Sequence, residues 1–309
     1  MKAIVTGATG FIGKWLVREL IAQENEVTVI VRNKEKIPEL WKQNAVEVIE
    51  APLQEIAFLE KQDFSKEEYD IFFHFAWTGT SGMERADCAL QLDNVQFACD
   101  AVKLAKKLGC TRFVNAGSIM EYETMQYVPT DGAMPGMGSI YSIAKLTADL
   151  MARTVATKEE IGYINVIISN IYGAGEKSAR FLNMVLRKML INERVPLTHG
   201  KQLYDFIYVT DAVKAIIFAT VNGGVNESFY IGNASQRPLK EFVLEMKRIV
   251  KSESELGFGE VPFTGAYLSY NEFDTAKLGR MGFVPQVSFE QGVRLTEKWI
   301  LEEKDGYKF

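Results

Sequence analysis

Short β-branched and aromatic runs alternate with longer amphipathic segments over the first 170 residues of the chain. Ala3 to Thr6, Val27 to Val31, Val46 to Ile49, Ile71 to Phe75, Arg112 to Ala116 and Tyr163 to Ser169 predict strands. Between them apolar residues recur at helical spacing, as in Ile12, Trp15, Leu16 and Leu20, and again in Val95, Ala98, Val102 and Ala105. The second of these helices runs to Gly109, a natural C-cap. Strands separated by single helices predict an α/β fold: a doubly wound parallel sheet with helices on both faces. Beyond Gly175 the pattern loosens, with helices expected at about 181–191, 211–221 and 239–251 and a strand through Phe206 to Val209. That stretch reads as a smaller mixed α/β lobe interleaved with the last sheet strands.

Composition narrows the function classes. A formal charge of -5 offers no basic field for phosphate backbones, so nucleic acid is not an expected partner. No apolar run approaches the ~20 residues that cross a bilayer, and a strand-like AIVTG stands where a signal peptide would have its apolar core. A cytoplasmic protein without a membrane partner is expected. Cys88, Cys99 and Cys110 lack CxxC spacing, which argues against a disulfide framework or a zinc knuckle. The two histidines, His74 and His199, are far apart, so neither a metal site nor a Ser/His/Asp triad is expected.

TGATGFIG sets Gly7, Gly10 and Gly13 between the first strand and the first helix, with Phe11 and Ile12 inside the loop. Backbone N–H groups and the helix dipole can hold a pyrophosphate there. Lys14 is followed by Trp15 rather than Ser or Thr, so a nucleotide-triphosphate loop would lack its magnesium ligand. About 20 residues on, where a carboxylate usually binds the ribose 2′-OH of NAD, the chain has Arg32 in VIVRNKEK, with Lys34 and Lys36 close by. Arginine suits a 2′-phosphate, so NADP(H) is favoured over NAD(H), with NAD(H) left open.

Ser118 follows FVNAG at a strand's carboxyl end, where doubly wound sheets bind their ligands. In YSIAK, Tyr141 and Lys145 share one helical face through their i, i+4 spacing. Ketone reduction needs a proton donor for the developing alkoxide, and a free tyrosine with pKa about 10 is sluggish near neutrality. An adjacent ammonium and a cationic nicotinamide lower that pKa. Ser118 would polarise the substrate oxygen, and Lys145 can also bond the nicotinamide ribose.

These motifs resemble the extended short-chain dehydrogenase/reductase family, also labelled NAD-dependent epimerase/dehydratase. The resemblance further rests on YDIFFHFAW, DNV at Asp93 to Val95, SNIYGAG at Ser169 to Gly175, QLYDFIYVTDAVKA from Gln202 and DTAKLGRMGF from Asp274. It implies a Rossmann domain at 1–170 with a returning segment at about 203–232, and a substrate-binding lobe at 171–202 and 233–309. It implies a homodimer built through the long helices that carry Asn94 and Tyr141. Around the cofactor it implies Leu53, Phe75, Ala76, Trp77, Asn94, Ala116, Ile168 and Ser169. Around a nucleotide-sugar substrate it implies Thr78, Ser118, Ile119, Met120, Asn170, Arg180 and Tyr204.

Departures from the family pattern point to the reaction. Dehydratases of the family carry an Asp and a Glu where this chain has Ile119 and Met120, neither of which transfers protons. Pro52-Leu53 replaces an Asp-Leu pair that contacts adenine, and Tyr204 replaces an arginine that holds the diphosphate. GSIMEY, HFAW and the QxxDF segment are most similar to reductases of 4-keto-6-deoxy nucleotide sugars, of the dTDP-fucose and CDP-abequose synthase type. The expected activity is therefore NADPH-dependent reduction of a C4 ketone with Tyr141 as proton donor. A C4 epimerase with retained NAD, reduction of an unrelated carbonyl, and a non-enzymatic NADP sensor are the alternatives.

Overall fold

The apolar runs become strands and the amphipathic segments become helices, in an order close to that expected. In chain order these are β1 (Lys2–Thr6), α1 (Phe11–Ala22), β2 (Glu26–Val31), α2 (Glu39–Gln43), β3 (Glu47–Glu50), β4 (Ile71–His74), α3 (Cys88–Lys107), β5 (Arg112–Ser118), α4 (Met120–Met125), α5 (Ser139–Lys158) and β6 (Gly162–Ile168). There follow β7 (Asn170–Tyr172), α6 (Phe181–Met189), β8 (Val195–Leu197), β9 (Leu203–Tyr204), β10 (Phe206–Tyr208), α7 (Val209–Asn222), β11 (Glu227–Ile231), β12 (Arg237–Pro238), α8 (Leu239–Ile249), β13 (Leu256–Phe258), α9 (Lys277–Arg280) and α10 (Phe289–Lys304). This computed structural model describes residues 1–65, 68–125, 136–265 and 267–304.

The chain divides into two compact units. The first comprises Met1–Ile168 and Ile216–Phe229, the second Ser169–Ala215 and Tyr230 onward. The return to the first unit is shorter than the 203–232 suggested by the sequence. Residues 203–208 stay in the second unit because their backbone hydrogen bonds go there, β9 pairing with β12 and β10 with β7.

A seven-stranded sheet in the order β11-β6-β5-β4-β1-β2-β3 forms the frame of the first unit. The pairs from β3 through β6 are all parallel. The strand order reverses beside β1, the switch point where ligands of such sheets bind. Successive residues of β1, Ala3, Ile4 and Val5, are all buried, so the sheet is covered on both faces. On one face Ile4, Phe72, Phe113 and Tyr163 meet a layer of small residues, Ala98, Ala101 and Ala105 of α3 and Ala144, Ala148, Ala152 and Ala156 of α5. Alanine faces let two long helices lie close to each other and to the strands. The rings stack across the sheet, Phe72 on Phe113 with centroids 5.5 Å apart and Phe113 on Tyr163 at 6.0 Å. β5 runs two residues beyond its expected end, so Ser118 is its last residue rather than lying past it.

Within the second unit Tyr172, Phe206, Phe242 and Phe289 form an aromatic cluster. Asp205 is fully buried and accepts hydrogen bonds from the Tyr230 hydroxyl at 2.6 Å and from the Ala234 amide at 3.0 Å. Gly232 permits this close packing, because a Cβ there would stand 2.4 Å from Asp205 Oδ2. Cys88 is exposed and Cys99 and Cys110 are buried, all three as free thiols. Among the described residues no helix is long and apolar enough to cross a membrane.

Arg112 at the start of β5 donates to the carbonyls of Thr220 and Gly223 at the C-terminal end of α7. It both satisfies orphan carbonyls and places a cation at the negative end of the helix. Arg112→Met is expected to lower unfolding stability by about 1–2 kcal/mol, read from chemical denaturation.

Candidate active site

The glycine loop is shaped by main-chain crowding. Gly7 has φ +69°, and a Cβ on it would lie 2.4 Å from the Phe75 carbonyl carbon. A Cβ on Gly13 would lie 2.2 Å from Gly7 O. The turn and the first turn of α1 are thus closed against the end of β4 with no room for side chains. Gly10 stands at the N-cap of α1 with no side-chain cap and no acidic residue in the first turn. Exposed amide donors, the positive end of the dipole and a bare backbone fit a pyrophosphate. Phe11 and Ile12, half-buried, open the helix.

The strand ends beside this loop are tied together by side chains. Thr6 Oγ1 accepts from the Ala76 amide at 3.3 Å and lies 3.0 Å from His74 Nδ1. Burial first, and the charge of Lys145 second, push the His74 pKa down to about 3. Leu53, the residue expected against adenine, is half-buried and packs on the core. Arg32 is exposed directly after β2 and makes no ion pair among the described residues. Lys36 is exposed too, whereas Lys34 pairs with Glu50 of β3 at 3.5 Å. Part of the positive charge expected here is therefore neutralised.

Tyr141 and Lys145 project from the first turns of α5. Lys145 is 6% exposed, donates to the carbonyl of Ala116 at 3.0 Å, and sets its Nζ 3.5 Å from the centroid of the Trp77 ring. Ala116 thus serves the site through its backbone oxygen. Trp77 meets the Tyr141 ring edge-on at 6.0 Å and donates its Nε1–H to Gln91 Oε1 at 2.8 Å. The expected cofactor-edge residue thus touches both the lysine and the tyrosine. Asn94, expected at the cofactor, is buried and holds a backbone segment: Oδ1 accepts from the Thr78 amide at 2.9 Å, and Nδ2 donates to the carbonyls of Thr78 at 2.9 Å and Leu90 at 3.0 Å. Its effect on a ligand would pass through Thr78.

Ser118 Oγ accepts from the Met120 amide at 3.2 Å, which turns the chain from β5 into α4. Ile119, implied against substrate by the resemblance, is next along the chain. It is buried, and its amide continues the ladder to Ile168 O at 3.1 Å. Met120 is half-buried. Behind the serine lies a group that sequence reasoning missed. Glu121, 1% exposed, accepts from the Ser118 amide at 2.7 Å and from Asn165 Nδ2 at 3.2 Å, and Asn165 in turn accepts from Asn115 at 3.0 Å. Gly117 makes room for this, since a Cβ there would lie 2.8 Å from Glu121 Oε1 and 2.4 Å from Asn165 Oδ1. The clue was a carboxylate three residues past a strand-end serine, but its inward direction has no local signature.

In the second unit, Ser169 is buried, its amide bonded to Ile231 O at 3.1 Å. The half-buried Asn170 is joined to Asp205 O through its amide at 3.3 Å and its side chain at 3.4 Å. Tyr204 lies between Phe181 at 6.1 Å and Phe206 at 5.5 Å, and burial raises its pKa. Arg180 precedes α6 and its Nε lies 3.6 Å from the buried carboxylate of Glu176. Arg237, opposite Tyr204 in the β9–β12 pair, is committed to Glu245 and to the face of Phe242. A cleft of about 380 Å³ in this unit is lined by Tyr230, Asn233 and Ala234 together with Thr275, Leu278 and Arg280 of the DTAKLGRMGF segment.

Burial, reinforced by the charge of Asp149, pushes the Glu121 pKa up to about 8, while the Ser118 amide and Lys145 pull it back. In the unfolded chain the same group titrates near 4.5, so between those values the folded state binds the extra proton and stability falls as pH rises. Glu121→Gln removes that penalty. Relative to the unmutated protein it is expected to gain stability from pH 5 to 8, at a slope of at most about 1.4 kcal/mol per unit, in urea melts run across that range.

A sequence profile described as NAD dependent epimerase/dehydratase family matches residues 3–232. CDP-abequose synthase of Salmonella muenchen is 25% identical over 300 residues, which span 95% of this chain and 96% of that one. UDP-glucose 4-epimerase of Thermotoga maritima, solved with UDP-glucose, superposes with a TM-score of 0.80 at 22% identity, covering 98% of this chain and 100% of that chain. The Thermus thermophilus UDP-glucose 4-epimerase, solved in complex with NAD, gives a TM-score of 0.75 at 18% identity, covering 97% and 99%.

Proposed function

The chain belongs to the NAD dependent epimerase/dehydratase family, of the extended short-chain dehydrogenase/reductase type, and on that premise we propose that it reduces the C4 ketone of a nucleotide-activated 4-keto-6-deoxyhexose with NADPH. The observation that carries this reading is at positions 119 and 120. Next to Ser118 stand a buried isoleucine and a methionine, and the nearby carboxyl group, Glu121, is turned into the core and held by Ser118 and Asn165. No side chain there can pass a proton to and from solvent-facing substrate, which disfavours elimination of water. Similarity to CDP-abequose synthase along nearly the whole chain supports the same choice.

The cofactor, when bound, supplies a hydride to C4. Gly7, Gly10 and Gly13 would hold its pyrophosphate, Leu53 its adenine, and Arg32 with Lys36 its 2′-phosphate. Ser118 Oγ would hydrogen-bond the ketone oxygen, and Tyr141 would give that oxygen its proton as negative charge develops. Lys145, anchored on Ala116 O and Trp77, keeps a positive charge beside the phenol. The second unit would recognise the nucleotide sugar.

Retained NAD and C4 epimerisation form the second reading, favoured by one observation: Glu50 pairs with Lys34 and offsets part of the positive charge after β2. Mass spectrometry of nucleotide released on denaturation separates the two. Reduction predicts an empty or exchangeable site preferring NADPH over NADH, and NADPH oxidation with a panel of nucleotide 4-keto-6-deoxyhexoses that Tyr141→Phe slows about 10²–10⁴-fold. Stoichiometric tightly held NAD, with turnover of ordinary nucleotide sugars, selects epimerisation.

Leu92 of α3 and Ile143, Leu150 and Met151 of α5 are exposed apolar residues on the two long helices. We propose that they pair two copies into a homodimer. Size-exclusion chromatography is expected to show a dimer that Leu150→Arg converts to monomer, and a monomer at every concentration for the unmutated chain rejects the pairing.

A further inference from the structure

Lys145 is not the only cation beside the tyrosine. Arg85, in the short 3₁₀ segment Gly82–Ala86 ahead of α3, lays its guanidinium carbon 4.4 Å from the centroid of the Tyr141 ring. Lys145 Nζ stands 6.0 Å from the same centroid, and Trp77 closes another side of the ring edge-on. Arg85 is half-buried, and its Nε is shielded from solvent without a hydrogen-bond partner among the described residues. The guanidinium is offered to an aromatic face.

This placement is built by the chain. Gln91, fully buried on α3, donates Nε2 to the carbonyls of Gly79 at 2.9 Å and Glu84 at 3.0 Å, while its Oε1 accepts from Trp77 at 2.8 Å. Asp87 caps α3 by accepting from the Leu90 amide at 3.1 Å. One glutamine therefore latches both Trp77 and the backbone next to Arg85 around Tyr141. A phenolate spreads negative charge into its ring, so a cation over the ring face stabilises it more than it stabilises the neutral phenol.

We propose that Arg85 is a positioning residue that acts through Tyr141, a second cation that sets the acidity of the phenol jointly with Lys145. The proposal rests on the reading of Tyr141 as proton donor. Charged groups on the elements packed against α5 are Glu84 on the Arg85 segment, Asp87 at the α3 N-cap, the exposed Asp93, the Asp100–Lys103 pair, Lys106 and Lys107 on α3, Glu121 and Glu123 on α4, Arg112 on β5, and Asp149, Arg153 and Lys158 on α5 itself. Glu121 is held by Ser118 and Asn165, Glu123 by Ser142, Arg112 by Thr220 and Gly223, and Asp149 by Arg153. Among the described residues, the cations with their charge over the Tyr141 ring are Arg85 and Lys145.

The test titrates Tyr141 directly by near-ultraviolet tyrosinate absorbance of the full chain, with a Tyr141→Phe background subtracted, and so requires no substrate. Arg85→Gln is expected to raise the Tyr141 midpoint by about one pH unit, and Arg85→Lys to restore most of the difference. With substrate, the basic limb of the kcat profile should move upward by the same amount. A midpoint unchanged in Arg85→Gln overturns the proposal. So does a rise in KM without a shifted midpoint, which would make Arg85 a substrate contact. A shifted midpoint in a protein whose turnover survives Tyr141→Phe leaves the Arg85 effect standing and rejects the proton-donor reading instead.

Discussion

A lysine ammonium buried at the end of a parallel sheet is the constraint around which the first unit is organised. Burying such a charge is costly unless acceptors and polarisable partners are waiting for it. Lys145 receives the carbonyl of Ala116 and the face of Trp77. Each partner imposes further order. Holding Ala116 O in place requires β5 to keep its register with β6, and holding the indole requires Gln91, whose other bonds fold the segment before α3. The alanine faces of α3 and α5 keep α5 close enough to the sheet for the lysine to reach.

The same charge influences its neighbours' protonation. It lowers the basicity of His74, already a poor base through burial, and it opposes the burial that keeps Glu121 protonated. A neutral imidazole, a reluctant carboxyl group and a phenol therefore surround one fixed cation. Proton transfer in such a setting is confined to the group that can reach bulk water or substrate. Thr6 and Asn165 take part by fixing which atoms of His74 and Glu121 carry hydrogen bonds.

Much of this was legible because it is local. The glycine loop, the i, i+4 pair of Tyr141 and Lys145, and the strand-helix alternation each depend on residues within one turn or one strand, and the sheet follows from them. What escaped depends on chain segments far apart. Nothing near Arg85 in the sequence signals that Tyr141 lies beneath it. Glu121 reads as a surface carboxylate until Gly117, Asn115 and Asn165 are seen to leave it a cavity of polar partners. The burial of Ile119 depends on the backbone bond of its amide to Ile168 O, far away in the chain, which local spacing does not report. The alternation of the two units was visible in outline, but the extent of the return depends on backbone pairing of β9 and β10, which periodicity does not report.

The glycine loop and Arg32 differ sharply in how much change they tolerate. At Gly7 and Gly13 backbone atoms occupy the space of any added carbon, so alteration there disturbs the sheet end itself. Arg32 is exposed, and no ion pair among the described residues ties it to the fold. On the proposal that Arg32 and Lys36 meet a 2′-phosphate, coenzyme choice is separated from the scaffold. Under that proposal a descendant or a designer could retarget the protein between the two nicotinamide dinucleotides at exposed surface positions, leaving Tyr141 and Lys145 untouched.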